Sequence, residues 1–181
     1  MTSRAANPQS GSTLVEVIIA SGLMATLMAG LMSLGAVALS TTENQGHLAA
    51  RTAEYAQDKM EQLLALAYTD ATSDTTSFPA ATTGGTGLVA GGSSVTSSPV
   101  AKYVDWLDQN GNLCGSSGAA CAAASGTTAP TSWFYERAWA ITTPAGSTNL
   151  KQITVTVTIS RGFGAANKSS STLTVYKTYP F

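Results

Sequence analysis

One stretch near the amino terminus limits what this chain can fold into. Residues 11–39 read GSTLVEVIIASGLMATLMAGLMSLGAVAL, and between Arg4 and Glu43 the only formally charged side chain is Glu16. As a helix rising about 1.5 Å per residue, residues 14–39 span roughly 39 Å, which exceeds the roughly 30 Å hydrocarbon core of a bilayer. The sequence therefore predicts a helix that is able to cross a membrane.

Glu16 is the unusual residue of that stretch. A carboxylate in an apolar span costs on the order of 2.5 to 3.5 kcal/mol on insertion scales, so such a residue suggests a function and a specific partner. The stretch contains no Lys or Arg to act as that partner. We therefore expect a group outside this chain, or one created when the chain is processed, to neutralise Glu16.

The residues before Glu16 form a recognisable pattern. A short polar leader, MTSRAANPQSG, ends in Gly11, and Glu16 is the fifth residue after that glycine. The pattern resembles the class III signal of type IV pilin-like proteins. The resemblance implies that a prepilin peptidase cuts after Gly11 and that Ser12, at a position where the family usually has Phe, becomes the N-methylated first residue. It also implies that Glu16 pairs with an N-terminal amine during filament assembly.

Two plainer interpretations of the apolar stretch stay open beside this one. It is an uncleaved secretory signal or an ordinary single-pass anchor. A Sec-type signal has an apolar core of about 7 to 15 residues, and this run is longer. An ordinary anchor accounts for the length but does not require a Glu near its start.

Charge is sparse in the whole chain. Charged residues make up 10% of the sequence, well below the roughly 25% that is usual in soluble domains. Nine Lys plus Arg stand against ten Asp plus Glu, for a formal net charge of -1. A strongly basic face of the kind that binds nucleic acid is not indicated, so DNA binding is unsupported.

Two cysteines, Cys114 and Cys121, are the only ones in the chain. An exported domain meets an oxidising compartment in which a pair this close can form a disulfide. A metal site needs more ligands, and the single histidine, His47, lies far upstream. The sequence therefore predicts a disulfide, with no metal ion and no other cofactor.

After the apolar stretch, the apolar spacing predicts that the helix continues in amphipathic form. Apolar residues from Leu48 to Ala67 recur mostly at intervals of three and four, and we place charged residues, including Lys59, on the opposite face. No Pro lies between Ser12 and Tyr68, so one helix of about 55 residues is expected. Residues 53–68, AEYAQDKMEQLLALAY, also resemble the helix end of V-type minor pilins and of the related I-type pseudopilins of type II secretion.

The remainder of the chain predicts a loop followed by an antiparallel sheet. Residues 69–99 are rich in Ser, Thr and Gly, and either contain a short strand near residues 88–90 or form a mobile loop. Alternation of Ile and Val with Thr marks the clearest strand, at residues 153–159. The other strands are expected at residues 100–107, 133–141 and about 172–177.

Turn signals separate these strands. Asn110-Gly111 predicts a tight turn, and residues 143–147, TPAGS, predict the turn between the second and third strands of that sheet. Asp108, Asn110 and Asn112 alternate like the start of a calcium loop, but Gly falls at the fourth position of the pattern instead of the sixth. A turn is favoured over a calcium site.

The predicted fold is α+β and pilin-like, with a long N-terminal helix packed on a small antiparallel sheet. Its three parts are a cleaved leader (1–11), a transmembrane and assembly helix (12–41) and a globular head (42–181). The head divides into an amphipathic helix (42–68), a loop (69–99) and the sheet (100–181).

Residue patterns of enzymes are not seen. The sequence has no Gly-rich phosphate loop with its Lys and no His and Cys cluster, so neither catalysis nor a small-molecule substrate is expected. A pair of acids, Asp105 and Asp108, is better explained by a turn beside a strand. Four aromatic residues suggest either a binding surface or, as we favour, a small core: Trp106, Trp133, Tyr135 and Trp139.

The resemblance implies a structural minor subunit of a type IV pilus-like filament. Its partners are then the prepilin peptidase, an assembly-platform protein and other pilin subunits. The chain lies in the inner membrane as a single-pass precursor and later in an extracellular or periplasmic filament. Two alternatives are a type II secretion pseudopilin and a membrane-anchored adhesive or ligand-binding module that never polymerises.

Overall fold

The computed structural model describes residues 14–160 and 168–179. Within them the chain forms one helix, α1 (Leu14–Ala65), and five strands. The strands are β1 (Gly91–Gly92), β2 (Val104–Leu107), β3 (Tyr135–Thr142), β4 (Leu150–Ile159) and β5 (Ser170–Thr178). All strand pairs are antiparallel, which confirms the predicted α+β class. The chain divides into two compact units, residues 1–43 and 44–181, and α1 contributes to both.

The sheet is built around β3 and β4. Its order is β1, β3, β4, β5, and β2 also pairs with β3. β1 pairs with Ala140 and Ile141, and β2 pairs with the earlier part of β3, so the two short strands divide one edge of β3 between them. The predicted turn at residues 143–147 joins β3 to β4, with the Ser147 N–H donating to the Pro144 carbonyl at 3.1 Å.

The main core lies between the second half of α1 and one face of the sheet. In β4 the inward positions alternate with partly exposed threonines, which is the period of two that the sequence predicted. Leu63 of α1 is fully buried against this face, with Leu64 partly buried beside it. The buried members of this core are Tyr55, Ala56, Met60, Leu63, Leu88, Tyr103, Leu107, Tyr135, Trp139, Ile141, Ile153, Val155, Val157 and Ile159.

The end of α1 is held by lysines of the sheet. The last turn of the helix contains no basic residue of its own. Lys177 of β5 donates to the carbonyls of Leu64 and Leu66, the second at 2.6 Å, and Lys151 of β4 donates to the Tyr68 carbonyl at 2.6 Å. Cations at this position satisfy terminal carbonyl groups and complement the helix dipole.

The segment between α1 and β2 is anchored to the core. Leu88 is fully buried, and its N–H donates to the Asp70 carbonyl at 2.8 Å. Of the two alternatives for residues 69–99, a short strand is present, and it lies at Gly91–Gly92, just after the expected position. Gly92 has a φ of 81°, and a Cβ there would collide with the Trp139 carbonyl oxygen, so the position requires glycine.

Candidate functional site

The first part of α1 presents an apolar surface. Every residue from 14 to 40 is exposed. An 18-residue window of α1 has a mean hydropathy of 2.0, and none of its residues is buried. By length and composition it is the one helix in the described residues that is able to cross a membrane. An exposed apolar surface of this extent requires lipid or protein to cover it.

Hydroxyl groups in this apolar segment bond to the helix itself. The Ser21 hydroxyl donates to the Ile18 carbonyl at 3.0 Å, and the Ser33 hydroxyl donates to the Gly30 carbonyl at 2.8 Å. Thr26 makes the same kind of bond, to a carbonyl three residues earlier. Because these polar groups are satisfied within the helix, they do not oppose its transfer into an apolar medium.

Glu16 lies in the first turn of α1 and is exposed. A carboxylate at this end of a helix is favoured by the positive end of the helix dipole. Gly11 and Ser12, the predicted cleavage and methylation positions, lie outside the described residues. The structure therefore places Glu16 at the start of the exposed apolar surface and leaves the processing of the two earlier residues as a prediction.

Cys114 and Cys121 form a disulfide, with their Cα atoms 4.9 Å apart. This confirms the pair expected from their spacing. Cys114 also packs against a small second cluster, which lies on the sheet face opposite α1 and consists of Val104, Trp106 and Ala138. The bridge therefore closes a loop that lies against this cluster.

Asp108 organises the turn before that loop. Its carboxylate accepts the N–H groups of Asn110 at 2.8 Å, Asn112 at 2.9 Å and Ala120 at 3.1 Å. Burial alone would raise the pKa of Asp108, but these N–H donors outweigh it and hold the pKa below its usual value. The predicted turn is present, with the Gly111 N–H donating to the Asp108 carbonyl at 3.1 Å.

The aromatic residues singled out in the sequence fill the interior. Tyr135 and Trp139 belong to the main core, Trp106 is buried in the second cluster, and Trp133 is partly buried beside it. Tyr55 and Tyr135 contact edge to face, with ring centroids 4.7 Å apart. The interpretation of these residues as core is confirmed.

A buried ionic cluster connects α1 to the sheet, and we define it as Lys59, Asp105 and Arg137. The Lys59 Nζ lies 2.8 Å from Asp105 Oδ2. Arg137 donates from Nε and Nη2 to the two carboxylate oxygens of Asp105, at 2.6 and 2.8 Å. Asp105 is therefore shared between a cation on α1 and a cation on β3.

Further acceptors surround the Lys59 ammonium group. It donates to Gln62 Oε1 at 2.9 Å and to the Thr75 carbonyl, and it lies 4.0 Å from the ring centroid of Trp139. Burial lowers the pKa of Lys59 to about 8, against the opposing effect of Asp105. Near neutral pH the amine is therefore still protonated.

Asp105 stays ionised in the same cluster. Burial alone would raise the pKa of its carboxyl group, but Arg137 and then Lys59 outweigh burial and hold the pKa below its usual value. Lys59 and Asp105 are both enclosed by protein. The ionic cluster therefore fixes α1 to β2 and β3, and it does not present a reactive group to solvent.

The prediction that Lys59 lies on the exposed face of the helix is wrong. Tyr55, Lys59 and Leu63 follow one another at intervals of four, and all three are buried. This spacing was visible in the sequence and is the signal that places Lys59 on the buried stripe. The pairing of Asp105 with Arg137 was missed for another reason, because it depends on the register of β2 against β3.

Comparisons with protein-family models, with curated proteins and with solved structures find no match to this chain.

Proposed function

We propose that this chain is a structural minor subunit of a type IV pilus-like filament, processed after Gly11 and assembled through the first part of α1. The observation that carries the proposal is the exposed apolar surface of α1 with Glu16 in its first turn. The leader that ends in Gly11 supports the proposal. It directly precedes the apolar stretch, and Glu16 is the fifth residue after Gly11, as the prepilin signal requires.

The architecture of the second unit also supports the proposal. A helix that packs one stripe on an antiparallel sheet is consistent with a pilin-like head. A disulfide suits an exported domain, and this one lies outside the main core. In this proposal the head is carried to the filament by the helix, and the protein works by assembly with other subunits.

Cleavage is the experiment that tests the proposal. Mass spectrometry of the protein from its native membranes should find a chain that begins at Ser12, with or without one added methyl group. Gly11→Leu should leave the full-length precursor in the membrane, whereas the neighbouring substitution Ser10→Ala should be processed normally. A mature protein that retains residues 1–11 would overturn the proposal and favour a membrane-anchored adhesive or ligand-binding module.

A pseudopilin of type II secretion would be processed in the same way, so location separates it from a pilus subunit. Filaments sheared from the cell surface should contain the processed chain if it belongs to a pilus. Processed chain restricted to the membrane and periplasm would favour the secretion system.

A further inference from the structure

A groove of about 630 Å³ lies on the second unit, beside the second half of α1. Its volume falls within the range of about 300 to 1,000 Å³ that is usual for ligand sites. The helix contributes Asp58 and Glu61 to one side, and Phe78 and Leu113 belong to two segments that also line the groove. Arg137 of the ionic cluster is part of its lining.

The charge of this groove is negative. Asp58 and Glu61 are exposed, and residues three apart on a helix are neighbours on its surface. Within the described residues neither carboxylate takes part in a salt bridge. Arg137 is bound to Asp105 through two hydrogen bonds, and Asp105 also pairs with Lys59, so the ionic cluster carries one net positive charge against the two exposed carboxylates. A cationic group is therefore the complement of this side of the groove.

Phe78 gives the groove an apolar side. Its side chain is 76% exposed, the highest value among the large hydrophobic residues of the second unit that the structure describes. The adjoining residues are held to α1, because Gln62 donates to the Ser77 carbonyl at 2.7 Å and Lys59 donates to the Thr75 carbonyl. An aromatic ring on a tethered segment offers both apolar contact and a face for a cation.

Arg137 adds a hydrogen-bond donor. Its Nε and Nη2 atoms are used by Asp105, while Nη1 has no hydrogen bond within residues 14–160 and 168–179. The side chain is 8% exposed and lines the groove. Asp105 already fixes the guanidinium group, so a carbonyl oxygen entering the groove would meet a donor that is held in place.

We propose that this groove binds a short segment of a partner polypeptide in which a Lys or Arg lies beside apolar residues. The basic side chain meets Asp58 and Glu61, an apolar neighbour packs on Phe78 and Leu113, and a backbone carbonyl accepts from Arg137. A polypeptide supplies all three groups at once, whereas a simple amine supplies only the first. Binding at this groove does not require filament assembly.

The test uses the full chain in neutral detergent micelles and peptide probes followed by NMR titration. The probes are acetyl-Ala-Leu-Lys-Leu-Ala-amide and the same peptide with norleucine or Glu in place of Lys. The Lys peptide should bind at least about tenfold more tightly than the norleucine peptide, a difference of about 1.4 kcal/mol. The Glu peptide should bind most weakly, and the Lys preference should decrease as salt is added.

Matched variants locate the effect. The double substitution of Asp58→Asn with Glu61→Gln should remove the tenfold preference, and Phe78→Ala should weaken all three peptides severalfold. Glu54→Gln is the control, because Glu54 is an exposed acid of the same helix that pairs with Arg51 outside the groove. A Lys preference that survives the double substitution, equal binding of the three peptides, or competition by n-butylammonium at the concentration of the peptide would each overturn the proposal.

Discussion

Asp105 is the residue on which the ionic cluster depends. It is the one anion among three buried charged side chains, and it receives hydrogen bonds from both cations. Removing one member of a buried charge group leaves the others without compensation, and that loss is typically worth about 3 to 5 kcal/mol. The three members differ in how much their removal should destabilise the head. Loss of Lys59 leaves the Arg137 and Asp105 pair intact, whereas loss of Asp105 leaves two cations without an anion.

We therefore expect Asp105→Asn to be less stable than Lys59→Met. Asp105→Asn should destabilise the head by about 3 kcal/mol or more, because two buried cations lose their anion. Lys59→Met should cost about 1 kcal/mol or less, since an apolar side chain of similar length replaces an ammonium group that is expensive to bury. Trp fluorescence during urea unfolding measures both, because all three Trp residues lie in the head. Equal losses would contradict the assignment of Asp105 as the central residue.

Glu136 is a buried carboxyl group outside the ionic cluster, on the face of the sheet opposite α1. It is 7% exposed, and its Oε1 has no hydrogen bond within the described residues. Burial raises its pKa to about 7, and Lys168 opposes that rise. Between its ordinary value and pH 7 the folded state therefore holds more protons than the unfolded state, so stability falls as pH rises through this range.

Glu136→Gln should remove this dependence. The variant should be more stable than the parent by about 3 kcal/mol at pH 8, because no buried carboxylate has to ionise, and nearly equal to it at pH 4. Urea unfolding at several pH values between 4 and 8 measures the difference. A slope unchanged in Glu136→Gln would show that another group titrates in this range.

At the scale of elements, the sequence predicted best where a repeated side-chain period was present. The alternation of Ile153, Val155 and Val157 with threonines gave β4, and α1 ends at Ala65, close to the expected Tyr68. Long periodic segments can be read in this way because the signal is summed over many residues. The turn at residues 108–112 was equally visible, since Asn-Gly favours one local geometry.

The elements that the sequence placed less well depend on contacts made across the fold. β1 consists of two glycines, which have no side-chain period, and it exists because it pairs with β3. β2 begins at Val104, whereas a strand was expected from residue 100. The Asp105 and Arg137 pair likewise appears only once the register of β2 against β3 is known. Local propensity carries no information about such pairings.

The disulfide loop is an element whose contribution to stability can be estimated directly from its length. The bridge from Cys114 to Cys121 closes a short loop, and in the chain-entropy model a loop of about eight residues contributes about 2.5 kcal/mol. The double substitution of both cysteines by Ser should therefore fold but melt earlier, because the main core does not contain these residues. Thermal unfolding of the parent with and without reductant should show the same difference. Free thiols in unreduced exported protein would contradict the pairing.

At the scale of the whole molecule, Glu16 is the residue through which the proposed filament is assembled. Its insertion cost is offset in the proposal by the N-terminal amine that cleavage creates on a neighbouring subunit. The pair then forms only after cleavage and only between subunits. In this proposal Glu16 is an assembly contact that sets the axial position of the incoming chain.

The Glu16→Ala variant should separate three steps: membrane insertion, cleavage and entry into filaments. Insertion should be as good as in the parent or better, because the charge in the apolar span is gone. Cleavage after Gly11 should be normal, since it precedes pairing. Entry into filaments should fail, because the attraction is lost and an amine remains uncompensated at a low-dielectric interface. Glu16→Gln keeps the shape without the charge and should fail nearly as badly.

The measurement is the amount of each variant in sheared filaments beside the amount of processed chain left in membranes. Ser21→Ala is the matched control, because it alters a polar residue of the same exposed apolar surface whose hydroxyl donates to the Ile18 carbonyl of its own helix. It should enter filaments like the parent. If Glu16→Ala is processed and also enters filaments at the level of Ser21→Ala, Glu16 is not an assembly contact. The carboxylate would then serve the helix alone, through the dipole at its first turn.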